Sequence, residues 1–169
     1  MKKYLKWTAI ALLMILLVLQ FFQINKTNPE IKPAEDFLVI NKTEASTAKL
    51  LKDACYDCHS HETKYPWYTN VVPLSWWIKK HIVKGREELN FSTWATYSAK
   101  KADHKLEESI EMLEEKKMPL KSYVIAHSEA KLSAEQIKQL SDYFRSQRIT
   151  GAENGNKEKS EEEDEDDKD

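Results

Sequence analysis

Apolar residues are distributed in two different ways along the chain. From Trp7 to Ile24 they form a nearly continuous run, interrupted by only three polar residues. Across residues 41–150 they recur instead every three or four positions, which is the spacing of one face of an α-helix. Glycine is scarce, with 3 in 169 residues, so there are few of the turns that strands require. The pattern therefore predicts an all-α domain.

Capping residues and prolines mark the helix boundaries within this domain. Asn41 with Glu44 resembles a capping box and predicts a helix that continues into the two cysteines of the chain. Ser133 with Gln136 predicts the start of the last helix in the same way. Pro119 ends the helix that precedes it. Further helices are predicted from about Leu74 to Leu89, from Ser92, and from Asp103 to about Lys117.

The N-terminal apolar run predicts a transmembrane helix. Residues 1–24 approach the length of about 20 apolar residues that a bilayer requires, and Lys2, Lys3 and Lys6 precede the run. A cleaved signal peptide is the alternative, but the run ends in bulky residues and lacks the small ones that a cleavage site needs. We therefore expect an uncleaved signal anchor, with the N-terminus in the cytoplasm and the rest of the chain outside it.

Composition divides the remaining chain into three parts. Residues 25–40 contain Pro29 and Pro33 among polar residues and are predicted to form a linker. Residues 41–150 have the mixed apolar and polar composition that builds a core. Residues 151–169 are strongly acidic and are predicted to be disordered, so the formal net charge of -2 conceals a slightly basic domain. Nothing in this pattern indicates a nucleic-acid partner.

The sequence DACYDCHSHE contains both cysteines, Cys55 and Cys58, and His59 directly after them. Three kinds of site fit this stretch poorly. A disulfide would close a very small loop and constrain the unfolded chain little. A thioredoxin-like redox pair normally accompanies a βαβ pattern, which is missing around the motif. A structural zinc site needs four ligands, and the other histidines form no second pair at short spacing.

Covalent attachment of a haem accounts for the whole motif. Thiols at positions i and i+3 face the same side of a helical turn, so both can reach the vinyl groups along one haem edge. The next residue then brings its imidazole under the iron, as in the c-type signature C-x-x-C-H. The motif therefore predicts one haem c bound through Cys55 and Cys58, with His59 as the proximal iron ligand.

Met118 is the predicted distal ligand of the iron. Electron-transfer cytochromes often pair His with Met, and Pro119 would hold Met118 in an extended loop after a helix. Met112 is assigned to the core because it lies in the middle of a predicted helix. His81, one turn after Trp77, is the alternative ligand and would give a bis-histidine site.

Aromatic residues are concentrated after the motif, in the sequence YPWYTNVVPLSWW. Such side chains could surround a haem and exclude water, which raises its reduction potential. Trp76 and Trp77 are therefore predicted to line a haem pocket. An ordinary aromatic core is the alternative interpretation of the same cluster.

The chain resembles the haem-binding domain family of bacterial c-type cytochromes. The resemblance covers about Ala48 to Phe144 and rests on CYDCHSHETKYPWY, PLSWWIKKHIVKGREELNFSTW and KKMPLKSYVIAHSEAKLS, in that order, before the final helix. It implies covalent haem at Cys55 and Cys58. It also implies that His59 and Met118 are the axial ligands. A more distant similarity to class I cytochromes c implies a cytochrome c-like helical haem domain.

Together these features predict a membrane-tethered electron carrier on the extracytoplasmic side of a bacterial inner membrane, which exchanges single electrons with other redox proteins. A haem-based sensor or ligand-binding module is the alternative, and applies if the sixth position of the iron is open or labile. Enzymatic activity is not predicted, because the sequence shows no acid/base pair beside the motif. A thiol redox protein is a further alternative, and applies only if the cysteines carry no haem.

Overall fold

A computed structural model describes residues 2–148, and within this part of the chain every element of secondary structure is helical, without a β-strand. The predicted all-α class is therefore confirmed. The α-helices are α1 (Lys2–Leu19), α2 (Phe37–Ile40), α3 (Ala45–Leu51), α4 (Asp57–His59), α5 (Leu74–Glu88), α6 (Ala99–Glu114), α7 (Lys121–Ala126) and α8 (134–148). A π-helical segment, Lys52–Tyr56, joins α3 to α4, and short 3-10 helices form at Pro33–Glu35, Trp67–Asn70, Phe91–Thr96 and Ser128–Ala130.

Aromatic side chains from four separate segments form the centre of the core. Phe37 packs edge-on against Trp94, with ring centroids 4.7 Å apart, and lies 5.2 Å from the ring of Phe91. Tyr56 stacks on the other side of Phe91 at 5.3 Å. Phe37 is completely buried although it belongs to the predicted linker at residues 25–40, so the core begins before residue 41. The helices α6 and α8 complete it with Leu106, Ile110, Leu113, Leu140 and Phe144.

The capping box that predicts the last helix is confirmed. The backbone N–H of Gln136 donates to Ser133 Oγ at 3.2 Å, and the N–H of Ser133 donates to Gln136 Oε1 at 2.8 Å. The other predicted box is not formed, because Asn41 ends α2 and donates its side-chain amide to the carbonyl of Phe37. The predicted tail at residues 151–169 lies outside the described residues.

The fourth predicted helix starts earlier than expected. The cap of α6 is Ser98, whose hydroxyl accepts the N–H of Lys101 at 3.3 Å. Asp103, the predicted cap, lies within the helix and binds the guanidinium of Arg148 with two hydrogen bonds of 2.8 and 3.1 Å. The α6 helix therefore gains a turn at its start and an ion pair to α8.

The N-terminal helix does not support the prediction of a transmembrane span. In residues 2–148 no helix combines the length and the apolarity needed to cross a membrane. The helix α1 has 18 residues and ends at Leu19, and its first turns contain Lys2, Lys3 and Lys6. No residue of α1 is buried, so its apolar side chains face outward rather than into the domain.

Candidate functional site

One continuous helical segment positions the residues of the cysteine motif. Cys55 lies in the π-helical stretch Lys52–Tyr56, while Cys58 and His59 lie in α4 directly after it. A π-helical turn widens the helix locally, and such turns are frequent at functional sites. Tyr56, between the two cysteines, points into the core, where its hydroxyl donates to Asp36 Oδ1 at 3.0 Å. Because Tyr56 is anchored in the core, the rotation of the motif about its helix axis is fixed, and with it the direction of the two cysteines.

The imidazole of His59 is oriented by the loop after α5. Its Nδ1–H donates to the backbone carbonyl of Leu89 at 3.1 Å, which leaves Nε2 as the nitrogen with a free lone pair. Burial lowers the pKa of His59, so the neutral ring that ligates metals is favoured. A backbone carbonyl on the second nitrogen is the usual arrangement for a metal-ligating histidine.

Gly85 allows α5 to pack directly on the motif. A Cβ atom built at Gly85 would lie 2.6 Å from the carbonyl oxygen of Cys58 and 3.2 Å from its Cβ atom. Real Cβ atoms do not approach backbone oxygens so closely, so any larger residue would push α5 away from α4. The absence of a side chain at this position therefore sets the distance between α5 and the second cysteine.

Four of the predicted site residues meet at one cavity of about 380 Å³. Cys55, Cys58 and His59 line it from the motif, and Met118 lines it from the segment between α6 and α7. Most of the remaining wall is apolar, from the core and from the helices around it: Ala54, Leu89, Phe91, Leu113, Leu120 and Phe144. The fold thus brings together side chains that are 60 residues apart in sequence.

Two further residues, Met112 and His81, also reach this cavity. Met112 lines it, so the assignment of this residue to the core alone was incomplete. His81 lines it as well, and its Nδ1–H donates to the carbonyl of Trp77 at 2.9 Å. The position of His81 on α5 is eight residues before Leu89, which corresponds to about 12 Å along the helix axis. His81 therefore lies well away from the carbonyl that holds His59.

Trp76 and Trp77 are not among the residues that line this cavity, so the structure does not place them in the predicted pocket. Trp76 is directed away from it, and its Nε1–H donates to the carbonyl of Phe22 at 2.9 Å. Trp77 lies at the N-terminal end of α5 and borders a second cavity. The aromatic wall comes instead from Phe91, Phe144 and Tyr123, because the tryptophans precede the part of α5 that packs on the motif.

Cys55 and Cys58 form no disulfide with each other, and burial disfavours the thiolate form of both. Burial raises the pKa of Cys55 to about 12, and the thiol of Cys58 adds a smaller effect in the same direction. Burial also raises the pKa of Cys58 to about 11, with a contribution from the carboxylate of Asp57. Reactive redox cysteines have the opposite property, a lowered pKa in an electropositive environment.

A tyrosine that the sequence did not single out connects the Met118 segment to the motif. Tyr123, in α7, donates its hydroxyl proton to Asp57 Oδ2 at 2.7 Å, and Asp57 lies between the two cysteines and directly before Cys58. Burial and this carboxylate together raise the pKa of Tyr123, so its hydroxyl remains a donor. This hydrogen bond holds α7 beside the motif. Because Tyr123 follows Met118 by five residues, it also limits the position of the Met118 segment.

A second cavity of about 330 Å³ adjoins the first and shares Cys58, His81 and Tyr123 with it. Its outer wall includes Tyr68 and His127, whose hydroxyl oxygen and Nε2 atoms are 2.5 Å apart. The ring of His127 also stacks on Tyr123 at 4.2 Å. Within residues 2–148, no three His, Cys, Asp or Glu side chains are grouped as a metal-binding cluster.

Comparison with known protein families identifies a family for this chain. A family model described as a haem-binding domain matches residues 14–146, which is well over half of the chain. This match spans the motif, α5, Met118 and almost all of α8. Neither the curated proteins nor the solved structures contain a significant match to the chain.

Proposed function

The chain belongs to the haem-binding domain family, and from this premise we propose that it is a c-type cytochrome that carries single electrons. The observation that carries the proposal is the cavity shared by Cys55, Cys58, His59 and Met118. Two thiols, an imidazole and a thioether on one mostly apolar cavity suit a covalently bound haem with His and Met as axial ligands. The residues present therefore fit the group that the family binds.

Each residue has a distinct task in this proposal. The thiols of Cys55 and Cys58 would hold the haem, each by adding its S–H across a vinyl C=C bond, which would need neither an oxidant nor a leaving group. His59 would ligate the iron through Nε2, since the carbonyl of Leu89 holds Nδ1. Met118 would supply its sulfur from the segment between α6 and α7. When bound, the haem supplies an iron that accepts and releases one electron. The apolar wall excludes water from it, which favours the less charged, reduced state.

Met118 is favoured over His81 as the distal ligand. Both line the cavity, but His81 belongs to the same helix that packs on Cys58 through Gly85 and leads into Leu89, which holds His59. A distal ligand from α5 would therefore come from the same element that positions both His59 and Cys58. Met118 comes from the segment after α6, which is independent of them.

We further propose that the N-terminal segment tethers the domain to a membrane, with the haem on the extracytoplasmic side. Apolar side chains cover α1 from Trp7 to Val18 and are exposed, and the lysines at its start suit the cytoplasmic side of the membrane. Haem attachment through two cysteines takes place outside the cytoplasm, which agrees with this orientation. The partners of such a tethered carrier would be redox proteins at the same membrane.

A haem-based sensor or ligand-binding module is the second candidate function. The second cavity, which shares Cys58, His81 and Tyr123 with the first, offers space for a small ligand near the motif. In a sensor the sixth position of the iron would be open or easily vacated, whereas in a carrier Met118 would fill it in both oxidation states. The two functions therefore predict different rates of carbon monoxide binding to the reduced protein: fast for a sensor and slow for a carrier.

The replacement Met118→Ala tests the carrier function and its ligand together. We expect the purified haem protein to be low-spin and slow to bind carbon monoxide when reduced. The variant should keep its haem, lose the low-spin His/Met spectrum and bind carbon monoxide at least about tenfold faster, because the sixth position is then open.

Met112→Leu is the matched control, since Met112 lines the same cavity and leucine preserves its volume. It should leave the spectrum and the midpoint potential unchanged. If Met118→Ala also left both unchanged, Met118 would not be the ligand. Rapid binding of carbon monoxide by the unmodified reduced protein would favour the sensor.

A further inference from the structure

The residues that follow α1 are hydrogen-bonded to the domain rather than separated from it. The side-chain amide of Gln20 pairs with the backbone of Val72 in both directions, at 2.9 Å to its carbonyl and 3.0 Å from its N–H. Trp76 donates its Nε1–H to the carbonyl of Phe22 at 2.9 Å. The end of α1 is therefore fixed against the start of α5, although the two are about 50 residues apart in sequence.

Large apolar side chains are exposed on both sides of this junction. Trp67 is 77% exposed, Trp77 46% and Trp76 41%, although aromatic side chains contribute most to stability when they are buried in cores or interfaces. Contiguous exposed apolar patches mark interaction sites. We call this set the tryptophan surface, and its members are Phe21, Phe22, Trp67, Val71, Leu74, Trp76 and Trp77.

The tryptophan surface lies within the part of the chain that has no acidic residues. No Asp or Glu precedes Glu30, and none occurs from Thr63 to Arg86. Two lysines make hydrogen bonds within the junction, and a third follows directly on α5. Lys26 binds the side chain of Asn70, Lys79 donates to the carbonyl of Asn25 at 3.0 Å, and Lys80 is exposed one residue further along α5.

We propose that the tryptophan surface binds the headgroup region of an anionic phospholipid membrane and thereby orients the domain. Indole rings favour the membrane–water interface because one part is apolar and the N–H is polar. Lysines without acidic neighbours are attracted to anionic headgroups. This inference rests on the proposed tether, because α1 brings the surface to the membrane. A protein partner for the same surface is the competing occupant.

The orientation has a consequence for the haem cavity. Helix α5 begins at Leu74 in the tryptophan surface and reaches Gly85, which contacts Cys58, after eleven residues. At 1.5 Å per residue, this places the motif about 16 Å along the helix from the membrane-binding end. The cavity would thus be held at a fixed distance from the membrane, instead of moving freely at the end of a linker.

Hydroxyl-radical footprinting of the full haem-loaded chain tests this proposal. Oxidation of Trp67 and Trp77 is measured by mass spectrometry without lipid, with phosphatidylcholine vesicles, and with vesicles containing about one third phosphatidylglycerol. Flotation of the vesicles reports the tether separately. We expect at least about fivefold protection of both tryptophans on the anionic vesicles and less on the neutral ones. His104, exposed on α6, should oxidise at the same rate in all three samples.

A double variant and a matched control separate lipid binding from tethering. Val71→Asp with Leu74→Asp places two carboxylates within the tryptophan surface, so the protein should still float but lose the protection of Trp67 and Trp77. Val39→Asp is the matched control, because it places a carboxylate at an exposed apolar position of α2, outside the tryptophan surface. This variant should retain the protection of Trp67 and Trp77.

Three results would overturn the proposal, and they are distinguishable. Flotation without protection would reject lipid binding, leave the tether intact and assign the surface to a protein partner. Absence of flotation would reject the tether and, with it, this inference. Equal protection in the double variant would show that the protection does not depend on the tryptophan surface.

Discussion

His59 and Gly85 determine the geometry of the motif through single atoms. The Nδ1 atom of His59 is held by the carbonyl of Leu89 at 3.1 Å, and the missing side chain of Gly85 leaves room for the carbonyl oxygen of Cys58. Both interactions come from α5 and the residue after it. The position of α5 therefore sets the direction of the histidine and the distance to the second cysteine.

Replacing Gly85 with alanine should destabilise the protein. Alanine in a helix normally stabilises by about 1 kcal/mol over glycine, but here the new Cβ would lie 2.6 Å from the Cys58 oxygen. A backbone atom cannot move aside without shifting the motif, and overpacking of this kind costs about 1–3 kcal/mol. Denaturant unfolding of the haem protein should show a lower free energy of unfolding for Gly85→Ala.

Val83→Ala is the control for this prediction, because Val83 lies in the same helix with its side chain exposed. Its free energy of unfolding should stay within about 0.5 kcal/mol of the unmodified protein. A Gly85→Ala variant as stable as this control would mean that the close approach to Cys58 is not a constraint.

At the residue scale, the sequence predicted site roles for the cysteines, His59 and Met118, which line one cavity, but it did not indicate their supporting residues. Site residues with distinctive chemistry at a fixed spacing, as in C-x-x-C-H, can be predicted from the sequence alone. Leu89 acts through a backbone carbonyl, which every residue has, so no residue type indicates it. Gly85 is an isolated glycine in a helical pattern, which is a weak indication of close packing against another element. Trp76 and Trp77 do not line the cavity that the cysteines share with Met118, and aromatic composition alone does not indicate the direction of a side chain.

At the scale of elements, α7 is joined to the motif by one hydrogen bond between side chains. Tyr123 donates to Asp57 at 2.7 Å, and the loop that carries Met118 lies between α6 and α7. The C-terminal end of α6 and the start of α7 therefore fix both ends of this loop. The backbone N–H of Met118 donates to the carbonyl of Met112 at 3.1 Å, so α6 holds the start of the loop directly and the Tyr123 hydrogen bond holds its end through α7.

Removal of the Tyr123 hydroxyl should weaken this contact and loosen the Met118 loop. A hydrogen bond to a charged group contributes about 1.5–3 kcal/mol, so Tyr123→Phe should lower the free energy of unfolding by roughly this amount or less. In the reduced haem protein we also expect faster binding of carbon monoxide, as the methionine is displaced more easily. Stopped-flow absorbance measures that rate.

Tyr65→Phe provides the comparison, because the buried hydroxyl of Tyr65 has no hydrogen-bond partner among the described residues. Its loss should be neutral or slightly stabilising and should leave the carbon monoxide rate unchanged. If both variants bound carbon monoxide as slowly as the unmodified protein, the hydrogen bond to Asp57 would not control the loop.

The helices were predictable to different degrees, and the reasons are local. The last helix followed from the Ser133 and Gln136 capping box, whose two hydrogen bonds form as predicted. The helix α6 starts at Ser98 rather than Asp103, because either residue can cap and only the tertiary ion pair of Asp103 with Arg148 decides between them. The π-helical turn at the motif has no sequence signature of this kind.

At the scale of the whole molecule, the cavity and the hydrophobic core are parts of one structure. Phe91, Leu113 and Phe144 belong to the core cluster and also line the cavity that Cys55, Cys58 and Met118 reach. A haem in this position would add to the core of a small domain, and small domains gain most from such added packing. Haem binding and folding should therefore be coupled, as they are when a bound group supplies missing packing.

The haem content of the denatured protein tests the central claim most directly. The full chain, produced in a host that attaches haem to C-x-x-C-H motifs, should keep its haem after denaturation and acidic organic extraction. Its alkaline pyridine spectrum should be that of a haem bound by two thioethers. The variant Cys55→Ser with Cys58→Ser should release all haem under the same treatment. A chain with no Soret absorption and two titratable thiols would contradict the account.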